Sequence, residues 1–373
     1  MDWQRWTFRF LDTCFFRDGL PFNMGEGGYT VTNSFFPPLM TTLQGAVRTA
    51  LAAELGWNPG RDDRWPAELG GPDDLGSIRL RGPYLLKDGR PLFAAPLNLL
   101  ARKVREEAGI QKKYTFAKLK PGPEVQCDLG RVRLPVPDDS QQGAATPQNL
   151  FLTRSGLEAV LQGKLPGNGD IREKNQLWNE EPRTGLERDD TKRTAIDGRL
   201  YNCTHIRPER GVEVAVYVAG VPSGWNIRKS LIAGLGGEGR LAEVKVEAPC
   251  SADIMPAPAL PQPAEDRKVR FTVTLVTPGY YNDPRLAVRH GPPGVPGCCV
   301  SACIGKAVRA GGWDLARQEP RPLTSLLPAG SVWFYEAEAD DLNKVAALHG
   351  QCLGDQTAFG FGQVAIGKWK EEI

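Results

Sequence analysis

Gly354, Gly360 and Gly362 bracket Phe359 and Phe361 near the end of the chain. Glycines so placed let backbone N–H groups approach a phosphate with no Cβ in the way, and the two rings offer faces on which bases stack. The same stretch suits a tight helix-to-strand turn, and residue type alone does not decide between the two. A second run, Leu235-Gly236-Gly237-Glu238-Gly239-Arg240, puts Arg240 where a loop ends, within reach of a phosphate, although Gly236 and Gly237 also fit a helix cap and turn.

Cations gather in three further places. From Arg183 to Arg210 seven basic residues (Arg183, Arg188, Lys192, Arg193, Arg199, Arg207, Arg210) stand against five acids. Glycine, threonine and charge alternate there as in a hairpin that lies across single-stranded RNA with Lys192 and Arg193 at its tip, or as in a solvated hairpin. Arg102 to Lys120 is more lopsided, with seven basic residues against two acids and Tyr114 and Phe116 among the lysines; an amphipathic surface helix with a basic loop explains it equally well. The third place is the helix that Pro37-Pro38 opens. Its first turn, with Thr41 and Thr42, suits an anion if it faces a groove, and Arg48 further on either meets a phosphate or forms a solvated or buried pair.

Acid–base and metal chemistry find little support. The three histidines are His205, His290 and His349, and only His205, beside Tyr201 and Arg207, could take a 2′-OH proton as an endoribonuclease requires. Their spacing lies along one strand and does not make them converge, so the expectation is a non-catalytic chain. Cys298-Cys299-x-x-x-Cys303 brings three sulfurs together with no fourth ligand but His290, and reads as structural thiols. Asp62-Asp63, Asp189-Asp190 and Asp340-Asp341 read as solvated turn acids. No metal and no cofactor is expected.

At 373 residues and 24% charged, the chain is sized and composed for two soluble domains. A net charge of only +2 means that any nucleic-acid site is local rather than a property of the whole molecule. The early charges and absence of a long apolar run predict neither signal peptide nor membrane span, and a cytoplasmic location.

The elements that must carry these residues follow from periodicity. Trp3 to Phe16 alternates as a strand; Leu43, Val47, Leu51 and Leu55 follow Pro38 at helical spacing; Ser77 to Arg81 and Tyr84 to Ala95 turn at Asp88-Gly89; and Thr153 caps a helix to about Gly163. Arg102 to Pro147 is too long for a connection and reads as an insertion. The second half reads as strand 212–219, helix 225–235, strand 241–247, then strand 269–277, an insertion, strand 331–338, helix 341–352 and strand 363–369. The expected fold is α+β, with two ferredoxin-like βαββαβ domains at 1–208, with an insertion at about 100–150, and at 209–373.

Six runs in order carry a family resemblance: Leu11-Asp12-Thr13-Cys14-Phe15-Phe16-Arg17-Asp18-Gly19 with Pro21-Phe22, Phe36-Pro37-Pro38 and Gly45-Ala46-Val47-Arg48; Arg183-Thr184-Gly185 with Asp197-Gly198-Arg199-Leu200-Tyr201; the 235–240 run; Gly311-Gly312-Trp313-Asp314; Pro328-Ala329-Gly330-Ser331-Val332; and Gly360-Phe361-Gly362. Together they resemble the third subunit of the Cmr complex, the type III-B CRISPR effector, within the RAMP superfamily. That resemblance implies two ferredoxin-like domains, seating of the guide RNA (crRNA) by its repeat-derived 5′ handle, docking of the large polymerase-like signature subunit and a neighbouring RAMP backbone subunit, and no nuclease residues. RAMP endoribonuclease activity on guide precursor and a protein-only adaptor remain the alternatives.

Overall fold

The computed structural model describes residues 2–18, 31–58, 64–104, 113–127, 130–138, 143–147, 149–189, 191–314 and 319–369. Pro21-Phe22, Asp62-Asp63, Asp190 and residues 105–112 lie outside them. The fold is α+β, with mostly antiparallel sheets and few helices. Among the described residues no helix is long and apolar enough to cross a membrane.

The chain forms two compact units, neither of them continuous in sequence. The first comprises Met1–Gly89, Asn175–Ala252 and Arg309–Thr324, the second Arg90–Lys174, Asp253–Val308 and Ser325–Ile373. In the first, the strand Trp3–Phe10 lies between Leu241–Cys250 and Val212–Ala219, and Arg79–Lys87 pairs on the far side of the latter, all antiparallel. Alternation explains the placement. Trp6 and Phe8 are fully buried, whereas Arg5 and Arg9 project from the opposite face to Glu247 and Glu243 on the neighbouring strand. The expected division at residue 208 therefore does not match the compact units, because 212–219 and 241–250 are the direct neighbours of the N-terminal strand.

Helix Met40–Glu54 buries Met40, Leu43, Val47 and Leu51 along one stripe, and Leu39, not a proline, is its N-cap. The helix expected over 225–235 is absent. Ser230–Gly234 is instead an edge strand on Leu241–Cys250, with Leu231 and Ala233 half-buried and Ser230, Ile232 and Gly234 exposed, a period of two rather than 3.6.

In the second unit the strands Lys268–Leu275, Cys298–Cys303, Val332–Glu338 and Val364–Lys368 form one antiparallel sheet, with helices Pro284–His290 and Leu342–Ala347 following the first and third. Numbered along the chain, its strands lie in the order second, third, first, fourth. The four long strands 3–10, 79–87, 212–219 and 241–250 of the first unit share that order. Val269, Phe271, Val273, Trp333, Val364 and Ile366 are all fully buried in the second core. Helix Arg154–Leu161 starts where expected, with Thr153 Oγ1 accepting from Gly156 N at 3.1 Å. The 102–147 insertion is itself folded where described: Leu99–Val104, Lys113–Cys127 and Gly130–Pro137 make a three-stranded antiparallel sheet, so Tyr114 and Phe116 sit on a strand and not on a helix.

Candidate RNA-binding site

The hairpin Trp178–Arg188 and Ala195–Pro208 organises a group of cations and carboxylates in the first unit. Its register sets Glu181 opposite His205, Arg183 opposite Cys203 and Asn179 opposite Arg207. Directly opposed residues of an antiparallel pair share a face, so these odd-numbered positions all project together. Residues around Cys14 join the ladder: Cys14 and Ile206 exchange N–H···O bonds of 2.8 and 2.9 Å. This puts Thr13 and Phe15 on the face of His205, where Thr13 Oγ1 lies 3.2 Å from His205 Nδ1 and the Phe15 ring stacks on the imidazole at 5.2 Å.

The glycine run closes the group. Gly237 N donates to Phe15 O at 2.9 Å and Leu235 N to Arg240 O at 2.9 Å, while a Cβ on Gly236, whose φ is +84°, would strike Phe15 O and the Phe16 ring. The turn therefore holds Arg240 against residues 11–16. Arg240 Nη1 donates to Asp12 Oδ2 at 3.1 Å, Arg207 Nη1 to Asp12 Oδ1 at 3.0 Å, and Arg183 Nη2 lies 4.0 Å from Asp12 Oδ2. Glu181 takes Arg183 Nε and Nη2 at 2.9 and 2.6 Å and Arg207 Nε at 2.6 Å. Three guanidiniums thus face Asp12 and Glu181, and the Glu238 carboxylate of the glycine turn also acts electrostatically on His205. The Thr13 N–H and then Arg207 hold Asp12 below the usual carboxylate range, and Arg207 and then Arg183 do the same for Glu181.

Arg183, Arg207, Gly236, Gly237 and Arg240 are thereby brought together. Lys192 and Arg193 are exposed at the hairpin tip, as expected, and Asp189 caps the turn by accepting from Lys192 N at 2.8 Å. Five residues, about 17 Å of strand, separate Arg183 from Arg188, where that turn begins.

Two other expectations, for Arg48 and for the Gly360-Phe361-Gly362 turn, need correction. Arg48 is 7% exposed: its guanidinium donates to Gln44 Oε1 and to the carbonyls of Gly70 and Gly71 at 3.0, 2.9 and 2.6 Å, and lies over the Trp65 ring. It ties the 64–77 loop to the helix, with its Nη1 and Nη2 donating inside the fold. Arg48→Met should lower the unfolding free energy by about 1–3 kcal/mol in urea titration by removing the donor to the Gly71 carbonyl, the Gly70 carbonyl keeping that of Trp65 Nε1, with RNA binding of the folded protein unchanged. Thr41 and Thr42 are half-buried in the first helical turn, where the Thr41 carbonyl accepts from Gln44 Nε2 at 3.1 Å. The Gly360-Phe361-Gly362 turn is core. Phe361 is 1% exposed, Gly360 N donates to Thr357 O and Gly362 N to Pro278 O at 2.9 and 2.8 Å, and Gly360 O accepts from Thr277 Oγ1, so neither glycine N–H is left for a phosphate.

Sequence reasoning missed Asp12 and Glu181, and saw His205 only as a candidate base. At 1% exposure His205 is buried against Thr13 and Phe15. Burial, then Arg183 and Arg240, push its pKa below the ordinary 6.5, against weaker opposing effects of Glu238 and Glu181. The folded chain then resists a proton that the unfolded chain accepts, so stability is fully present above about pH 6.5 and falls as pH drops towards the folded-state value. His349, whose pKa burial also lowers, contributes with the same sign. Thermal melts between pH 7.5 and 5.5 should show Tm falling in wild type and falling less in His205→Gln. An unchanged slope would exclude His205 as a source. Of the clustered cysteines, burial pushes Cys299 and Cys303 up to about 12, which leaves them as protonated thiols.

The family model for CRISPR-associated protein (Cas_Cmr3) matches residues 6–369. The chain belongs to that family. It is a Cmr3-type CRISPR subunit. Among solved structures, this Cmr3-family chain is similar to a chain of the type III-B Cmr-β complex bound to cognate target RNA, at 15% identity, 88% of this chain and 86% of that chain, and a TM-score of 0.48. It is also similar to a chain of the Csm3–Csm4 subcomplex of the type III-A CRISPR–Cas interference complex, at 11% identity, 99% and 100% coverage, and a TM-score of 0.39. Among curated proteins no sequence matches.

Proposed function

We propose that this chain is a non-catalytic RNA-binding subunit of a type III-B CRISPR effector complex, which seats the 5′ handle of the guide RNA and docks the large polymerase-like subunit and a neighbouring RAMP backbone subunit. Its two units are ferredoxin-like in this reading, a view supported by the strand order they share. The observation that carries the RNA assignment is the convergence of Arg183, Arg207 and Arg240, from segments far apart in sequence, beside the exposed turn at Gly236 and Gly237. Guanidiniums held in fixed orientation by carboxylates and a glycine turn are preorganised for phosphate oxygens, and the exposed Lys192 and Arg193 extend positive charge along the hairpin. The burial of His205 favours a role without nuclease chemistry at that residue.

The test is co-purification from cells expressing the neighbouring operon, with sequencing of the bound RNA, for wild type and an Arg207→Gln, Arg240→Gln double variant. Wild type should carry short RNAs with one common repeat-derived 5′ end, and the variant should assemble but lose them. Equal RNA loading in an assembled variant would favour the protein-adaptor reading.

A further inference from the structure

The arginine group holds an anion of its own. The two oxygens of Asp12 address three guanidiniums: Oδ1 accepts from Arg207, Oδ2 accepts from Arg240, and Arg183 stands 4.0 Å from Oδ2. Two oxygens on one centre facing a ring of guanidiniums is also how a phosphodiester presents its non-bridging oxygens. Glu181 plays a different part. It grips the Nε edges of Arg183 and Arg207 and fixes their orientation, and its side chain is 32% exposed against 50% for Asp12. Arg240 is anchored from behind, 24% exposed, with a buried Nε that has no partner and an Nη1 aimed at Asp12. An incoming strand therefore meets the Asp12 carboxylate at the point where the three cations converge.

Resting on the RNA reading above, we infer that Asp12 occupies in the RNA-free chain the place of a guide phosphate and so sets selectivity. A polyanion held by charge alone must displace a carboxylate and gains little, since one anion replaces another. An RNA fixed by further contacts along the hairpin and glycine turn pushes Asp12 aside and takes all three guanidiniums. Asp12 is a specificity-determining residue in this scheme, and its charge is what matters rather than its shape.

The experiment compares the full-length protein as wild type, Asp12→Asn, Asp12→Ser and the Arg207→Gln, Arg240→Gln double variant. The probes are an RNA carrying the repeat-derived 5′ end and an oligouridylate of equal length, titrated across a range of salt, with thermal melts to establish folding. Asp12→Asn should bind oligouridylate about 3–10-fold more tightly, and its log–log salt slope should steepen by about 0.7, the value for one further phosphate contact on a single strand. Affinity for the handle RNA should change much less, so the preference narrows. Asp12→Ser should behave alike, because both lack the charge. If both Asp12 variants weaken the two RNAs in proportion, or leave both unchanged while the arginine variant weakens them, Asp12 is only a brace or a bystander and the inference fails with the RNA reading intact. If the arginine variant binds both RNAs like wild type, the RNA reading falls and takes this inference with it.

Discussion

Glutamine at both Arg207 and Arg240 should weaken binding of handle RNA by about 10- to 100-fold at moderate salt, with the log–log salt slope shallower by about 1.4. The first figure is kept modest because both guanidiniums already have carboxylate partners and Arg207 is exposed, so each phosphate contact replaces an existing one rather than arising from nothing. The slope follows from counting: two cations removed from a single-stranded backbone release correspondingly fewer counterions. Filter binding or fluorescence anisotropy across a salt series reads both quantities. The variant should melt close to wild type, since the lost ion pairs lie at the surface. A large fall in Tm would mean that the group holds residues 11–16 to the hairpin as a structural clasp, and the binding loss would then carry no information about phosphate.

Phe361→Ala should cost about 3–5 kcal/mol of stability, the usual penalty for emptying an aromatic site in a close-packed core. Phe361 is 1% exposed and its ring lies 6.1 Å from that of Tyr280, beneath a turn whose glycine N–H groups are internally bonded. Urea titration monitored by tryptophan fluorescence gives the loss, and RNA binding measured below the transition should match wild type. The base-stacking role that the residue types allow predicts the reverse, with unchanged stability and an affinity loss of about 1–3 kcal/mol per base. The two roles are thus separable in one pair of measurements.

Much of the local structure is legible before any pairing is known. The stripe of Leu43, Val47 and Leu51 makes a helix, Thr153 caps another, and Asp88-Gly89 turns a hairpin, with φ of 51° and 74° at the two positions. The basic hairpin between Arg183 and Arg210 is likewise readable, down to Lys192 and Arg193 at its tip. Two local readings went astray for one reason. Trp225 to Leu235 and the Tyr114–Phe116 stretch are mixed in residue type, so helix and strand periods fit almost equally, and pairing with Leu241–Cys250 and Leu99–Val104 makes strands of Ser230–Gly234 and Lys113–Cys127.

The site is another matter. Alternation alone makes Glu181, Arg183, His205 and Arg207 candidates for one face, but only the register of the 178–208 hairpin makes that face common to both strands. Asp12 lies 195 residues from Arg207 and 228 from Arg240, and no local pattern announces such a meeting. The sequence likewise fails to separate the two glycine turns. Gly236-Gly237 and Gly360-Phe361-Gly362 are alike in composition, and both bond a glycine N–H to the protein, yet one lies exposed against Arg240 and the other is buried beside Tyr280. Sequence by itself determined family membership, the α+β class and the identity of the basic hairpin, because these rest on residue order and short-range periodicity. Tertiary structure alone decided which arginines stand together, which of them is a buried strut, and which carboxylate faces them, because those depend on strand partners and burial that are set between segments distant in the chain.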